Sequence, residues 1–296
     1  MANRLGYVVR SPGSFQVTWS GNWKRPPAID HRRAPSDAEA EAVVRRSSRV
    51  FPVDSTPGVA EYLGTLCPRV TSLLSLYEEG HDRLTTYRRM AAAVAAALEE
   101  PPVCFATYGH PWAFCFPTTL IRRATPLLDL RGDVVPGISS LDTLMVDLGY
   151  DFSADGLQMY DATDLLLRRR PLQDDVACVI WQVTSIADPT YQAGARTPEH
   201  FAGLRDYLLE FYPPEHAVFS VFSRTHPALR SMVRRQRLDE LAEALAGDAQ
   251  SGTLFIPPVR RPPVVDEDMA DRIQDAYRQA PPLRIAACHG EEKGAP

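Results

Sequence analysis

A layered α/β fold is predicted for this 296-residue chain by three observations. Short runs rich in β-branched and aromatic residues alternate with stretches of helical periodicity, as in α/β proteins. Several of the runs are apolar throughout, the pattern of strands buried on both faces. Proline pairs (Pro26-Pro27, Pro101-Pro102, Pro213-Pro214, Pro257-Pro258 and Pro262-Pro263) fall at the seams, because proline cannot continue a helix and restricts the residue before it.

Strands are expected near Phe15–Trp19, Arg49–Val53, Val103–Tyr108, Asp133–Pro136, Val176–Gln182, Ala217–Ser223 and Thr253–Pro257. The clearest helix is Asp82–Glu99, with Asp82 as N-cap and an alanine-rich body. Further helices are expected over Asp37–Arg46, Ser140–Leu148, Asp161–Arg169, Pro198–Leu209 and Pro227–Leu245. The polar stretch RRRPLQDD, within Arg168–Asp175, separates a helix from a strong strand and marks a boundary between lobes. The division is then 1–172, 173–262, and a short helix with a flexible tail over 263–296.

Composition narrows the function classes. With 45% hydrophobic and 23% charged residues and a net charge of −5, the chain lacks the basic excess of a nucleic-acid binder. No apolar run is long enough to span a membrane, and the N-terminus shows no export signal. The five cysteines (Cys67, Cys104, Cys115, Cys178 and Cys288) are scattered and free of CxxC spacing. That usage suits a reducing cytoplasm and argues against a disulfide framework or a metal site.

Three short motifs follow predicted strands. Tyr108-Gly109-His110-Pro111 closes the run Val103–Thr107 with a glycine turn. Such a turn puts backbone polar groups at the carboxyl edge of a sheet, where open α/β folds bind ligands. Val135-Pro136-Gly137-Ile138-Ser139-Ser140 leads from strand to helix, and a serine there can cap the helix. Val179-Ile180-Trp181-Gln182 ends a buried strand in an amide that can both donate and accept. Taken alone, each motif reads better as a turn, a cap or a core edge.

In order, YGHPWAFCFPTTLIRRA, DVVPGISSLDTLMVDLGYD, YDATDLLLRRRPLQDDVACVIWQ and TLFIPP resemble the tetrapyrrole methylase superfamily. Within it the chain is most similar to the borosin peptide backbone N-methyltransferases, over about Arg49 to Pro258. The resemblance implies a two-lobed fold of the class III methyltransferases. It also implies S-adenosyl-L-methionine (SAM) held between two α/β lobes, and a homodimer. By the same likeness Tyr108, Gly109, His110, Ala113 and Phe114 line the SAM site from one lobe. Ser139 and Ser140 approach the methionine part, and Gln182 closes the site from the other lobe.

The reaction type rests on the segment from Tyr77 to Tyr87. Arg83 and Tyr87, four residues apart, share a helix face, and Tyr77 sits in the loop before it. A backbone amide nitrogen is a poor nucleophile because its lone pair is delocalised into the carbonyl. Methylating it means removing the N–H proton while stabilising the charge that develops on the carbonyl oxygen. Phenols can take the proton, and a guanidinium never loses its charge. The borosin spacing carries these catalytic roles onto Tyr77, Arg83 and Tyr87.

The pattern departs from the superfamily in two places. The glycine-rich loop near the cofactor is represented by Phe15–Trp23, where only Gly21 is a glycine and Trp19 and Trp23 flank it. The end of the chain, HGEEKGAP, has no run of small and apolar residues resembling a fused substrate, so a separate precursor peptide or protein is expected as substrate. Two other readings are methylation of a tetrapyrrole-like small molecule and a non-catalytic binding homologue.

Overall fold

The first sheet shows how local sequence sets the architecture. The computed structural model describes residues 4–10, 35–223, 230–246 and 252–272. Their elements, in order, are β1 (Arg4–Arg10), α1 (Pro35–Arg46), β2 (Arg49–Val53), α2 (Val59–Leu66), α3 (Arg83–Ala96), β3 (Val103–Tyr108), α4 (Phe116–Ala124), β4 (Arg131–Val134) and α5 (Ser140–Leu148). There follow β5 (Leu157–Asp161), α6 (Ala162–Arg168), β6 (Ala177–Trp181), α7 (Pro198–Leu208), β7 (Ala217–Phe222), β8 (Met232–Arg237), α8 (Leu241–Leu245), β9 (Thr253–Ile256) and α9 (Glu267–Arg272).

Strands of the first sheet lie in the order β2-β3-β1-β4, with β2 and β3 parallel and β1 antiparallel to both of its neighbours. Side chains alternate across it as the pleat requires. Val50, Cys104 and Ala106 join a core with Val43 and Val44 of α1 and Leu63 of α2. Phe51, Val53, Val103 and Phe105 face the opposite way, onto Met90 and Val94 of α3 and Ile121 of α4. Burial on both faces explains why β3 reads VCFATY with no polar alternation. Complete burial of a side chain such as Phe105 contributes about 1.5–3 kcal/mol, so α3 is held firmly over β3.

A second sheet has the order β5-β6-β9-β7-β8. Its core packs Cys178, Ile180, Val218, Leu254 and Ile256 against Leu165 of α6, Phe201, Leu204 and Leu208 of α7, and Leu241 of α8. The chain divides into two units. The first runs to Thr143 and takes back the short segment Asp188–Gln192, while the second begins at Leu144.

Expected and observed elements agree where periodicity is strong: β2, β3 and α5 have the bounds predicted, and Asp82 caps α3. The helix expected over Pro227–Leu245 is corrected, since its middle is β8, paired antiparallel with β7, and among the described residues of that span only Leu241–Leu245 is α-helical. Arginine-rich MVRRQR suits an edge strand with one solvated face, which composition alone does not separate from a helix surface. The segment Arg168–Asp175, where a boundary between lobes is expected, joins two parallel neighbours of the second sheet, β5 and β6. Strands β1 and β5 and helices α2 and α4 were not anticipated. The expected strand Phe15–Trp19, the glycine-poor loop to Trp23, and the tail with Cys288 lie outside the described residues.

Candidate active site

Parallel pairing of β2 with β3 brings their carboxyl ends to one edge of the first sheet, with Val53 opposite Thr107. Asp54 and Tyr108 therefore leave the sheet side by side. The segment after α2 tracks β2, with the amides of Thr71 and Leu73 donating to the carbonyls of Val50 and Pro52 at 2.9 Å. It then turns through a short 3-10 segment, Leu74–Leu76, and delivers Tyr77. Helix α3 starts six residues later, fixed by the Asp82 carboxylate, which accepts from the Thr85 amide at 2.7 Å.

These placements bring the three predicted catalytic residues together. The Tyr77 and Tyr87 rings meet edge to face with centroids 6.4 Å apart. Burial raises the pKa of Tyr77 far above the ordinary tyrosine range, and Tyr87 and Tyr108 add to that rise. The pKa of Tyr87 is also raised by burial, but opposed by the positive charge of Arg83 and by a hydrogen bond from Tyr77. That same bond pushes Tyr77 further up. Negative charge is thus better tolerated on Tyr87 than on Tyr77.

Tyr108, predicted on the cofactor side, belongs electrostatically to the same group. Burial raises its pKa; Cys115, Tyr87 and Asp54 add to the rise, and Arg83 opposes it. Yet 58% of the surface of the residue is open to solvent. Beyond it the chain turns sharply. Gly109 has φ 74°, the Ala113 amide donates to the His110 carbonyl at 2.8 Å, and Phe114 holds φ 54°. A bulky residue in that region is strained, at a cost of about 1–3 kcal/mol, and such strain collects at functional sites. A Cβ built on Gly109 meets nothing within 4 Å, so its conformation, and not lack of space, demands glycine.

Ser139 caps α5: its hydroxyl and amide both reach Asp142 Oδ2, at 2.8 and 2.5 Å. Its side chain is committed to that reciprocal cap. Ser140 is exposed. Gln182 belongs to the second unit, where it follows β6 with φ 60° and ψ 32° and precedes a short 3-10 turn.

Sequence reasoning missed three members of the group. Asp54 carried a legible signal, a polar residue directly after a predicted strand. Cys115 lies beside Thr107 and accepts from the Thr118 hydroxyl at 3.3 Å. Tyr191 gave no signal: it follows no periodic element, yet its ring lies 5.0 Å from that of Tyr77.

No family model matches the chain. It is 29% identical over 237 residues to a methyltransferase/ribosomally synthesized type III borosin cyclic peptide precursor of Anomoporia bombycina, covering 78% of this chain and 27% of that one. It is 31% identical over 191 residues to a methyltransferase/ribosomally synthesized type I borosin cyclic peptide precursor of Coprinopsis marcescibilis, covering 63% of this chain and 49% of that one. The chain thus spans about half, or less, of the length of these curated relatives. Among solved structures, a conserved hypothetical protein of Aeropyrum pernix K1 matches with a TM-score of 0.50 at 14% identity, over 86% of this chain and 89% of that one. The fold is the two-lobed α/β fold of class III SAM-dependent methyltransferases, and the chain is related to borosin-type fused precursor and methyltransferase proteins.

Proposed function

We propose that this class III methyltransferase fold transfers a methyl group from SAM to backbone amide nitrogens of a peptide. One observation supports the reading: Tyr77, Arg83 and Tyr87 come together at the carboxyl edge of the first sheet, beside Tyr108. The donor set suits the cofactor. A sulfonium is a cation, and the exposed Tyr108 carries an aromatic ring that attracts cations. The turn Gly109–Phe114 presents backbone groups at a sheet edge. His110, Ala113 and Phe114 complete that wall, Ser139 and Ser140 approach the methionine part, and Gln182 contributes from the second unit. When bound, the cofactor supplies an electrophilic methyl group.

The protein's own work is to move the amide proton. Arg83 opposes the burial that raises the pKa of Tyr87, so of the two phenols Tyr87 is the one that gives its proton to solvent and enters the step as the phenolate, beside the Tyr77 hydroxyl. Tyr77 hands its proton to Tyr87 as it takes the proton of the substrate N–H. One N–H bond breaks, one Tyr77 O–H bond is exchanged for another, and a Tyr87 O–H bond forms. The nitrogen lone pair is then free for the methyl group. Arg83 keeps its charge throughout and does not compete for the proton.

The test is mass spectrometry with backbone fragmentation, after incubating the full chain with SAM and a candidate precursor peptide. Methyl masses on backbone amides are expected, and the same spectra show whether they land on a separate peptide, as expected, or on the chain itself. SAM binding with methyl transfer confined to a tetrapyrrole, or no SAM binding at all, overturns the reading. The borosin likeness also implies a homodimer, which light scattering of the purified chain tests directly.

A further inference from the structure

The segment Asp188–Gln192 stands apart from its sequence neighbours: it belongs to the first unit, while the residues on either side of it belong to the second. It lies across the start of α3 as a short antiparallel bridge, Asp82 opposite Thr190. The Gly80 amide donates to the Tyr191 carbonyl at 2.8 Å, the Tyr191 amide to the His81 carbonyl at 2.9 Å, and the Arg83 amide to the Pro189 carbonyl at 2.9 Å. The last bond satisfies a helix N-terminal amide that no intrahelical carbonyl can reach. The strap is stiffened from within, because Asp188 Oδ1 accepts from both the amide and the hydroxyl of Thr190, at 2.8 and 2.6 Å. Between these backbone bonds the Tyr191 ring packs on Tyr77, tilted 43° with centroids 5.0 Å apart. Its hydroxyl has no hydrogen-bond partner among the described residues, so packing is its contact with Tyr77.

We infer that Tyr191 is a positioning residue for the methyl-transfer step: the strap fixes the start of α3, hence Arg83, and the Tyr191 ring sets the orientation of the Tyr77 phenol. The inference rests on the proposed proton transfer through Tyr77. Tyr87 supports Tyr77 from one contact, edge to face, and Tyr191 supplies a second, closer one. Without it the half-buried phenol gains rotational freedom at the point where a fraction of an ångström decides proton transfer.

The experiment compares Tyr191→Phe, which keeps the ring, with Tyr191→Ala, which removes it. With Tyr191→Ala, kcat for peptide methylation is expected to fall about 10- to 100-fold while the KM for SAM stays within about twofold, and Tyr191→Phe is expected to restore kcat to near the original. A second readout needs no activity. In full-length protein carrying 3-fluorotyrosine, the Tyr77 fluorine resonance is assigned by its loss in Tyr77→Phe. It is expected to shift and broaden in Tyr191→Ala but not in Tyr191→Phe. An unmoved resonance, a kcat unaffected by Tyr191→Ala, or a failure of Tyr191→Phe to rescue overturns the inference. A protein that methylates no peptide but still shows the resonance shift refutes the proposed reaction and leaves the positioning contact standing.

Discussion

The carboxyl ends of β3 and β6 solve one backbone problem in two ways. Each strand is followed by a residue in the left-handed region, Gly109 at φ 74° and Gln182 at φ 60°. At the first, glycine takes the turn without strain, and polar groups gather around it: Tyr108, Asp54, Arg83 and the phenols of Tyr77 and Tyr87. At the second the chain keeps a side chain in a conformation that costs about 1–2 kcal/mol relative to one a glycine would accept freely. A residue retained against that cost points to use of its amide, as proposed for Gln182 at the cofactor.

The largest expected effect lies in the cluster. Tyr77→Phe removes the hydroxyl through which the amide proton passes, and methyl transfer should fall about 100- to 10,000-fold with SAM affinity nearly intact. Calorimetric loss of SAM binding in that variant would assign Tyr77 to the cofactor instead. Arg83→Lys should cost about 10- to 100-fold in kcat, since a compact ammonium does not reproduce the planar fork beside Tyr87 and Tyr108. Full activity in that variant would remove Arg83 from the relay.

Next is a response to alkali. Tyr77, Tyr87 and Tyr108 all have pKa values raised by burial. Above about pH 10, where an unfolded tyrosine ionises, the unfolded state has given up protons that the folded state still holds. Stability is therefore complete below that pH and falls as pH rises toward the folded values. Denaturant midpoints measured from pH 8 to 11 should decline, and the decline should be shallower in Tyr77→Phe. A parallel slope in that variant would mean the strain of ionisation lies elsewhere.

The smallest effects sharpen the comparison of strand ends directly. Gly109→Ala forces a Cβ into the left-handed region and should lower stability by about 1–2 kcal/mol despite the open space around it. Gln182→Gly should be neutral or stabilising, gaining up to about 1 kcal/mol as the strain is relieved, while activity drops. Urea melts of the two variants should therefore move in opposite directions. If Gln182→Gly leaves methyl transfer unchanged, its side chain is not used and the two ends differ only by accident of sequence.

Legibility in the sequence followed the range of the interactions. Strands β2 and β3 and the cap at Asp82 were readable because apolar runs and a capping carboxylate act over a few residues. The Arg83 and Tyr87 pair was readable because helical spacing alone puts both on one face. The sequence hid whatever depends on distant pairing. MVRRQR became a strand because β7 lies beside it, and β5 joined the second sheet because β6 does. Tyr191 reached Tyr77 through a bridge with no periodic signature. Ser139 was anticipated both as a cap and as a cofactor neighbour, and its observed bonds to Asp142 account for the first role.

The bridge between residues 80–83 and 189–191 joins segments roughly 110 positions apart, a contact of high sequence separation that closes late in folding. During synthesis at about 5–20 residues per second, the helix bearing Arg83 emerges several seconds before the tyrosine that steadies its neighbour. A nascent or prematurely terminated chain thus holds Tyr77, Arg83 and Tyr87 without the brace that aligns them, and on the proposed reading competence arrives only once translation has passed well beyond β6.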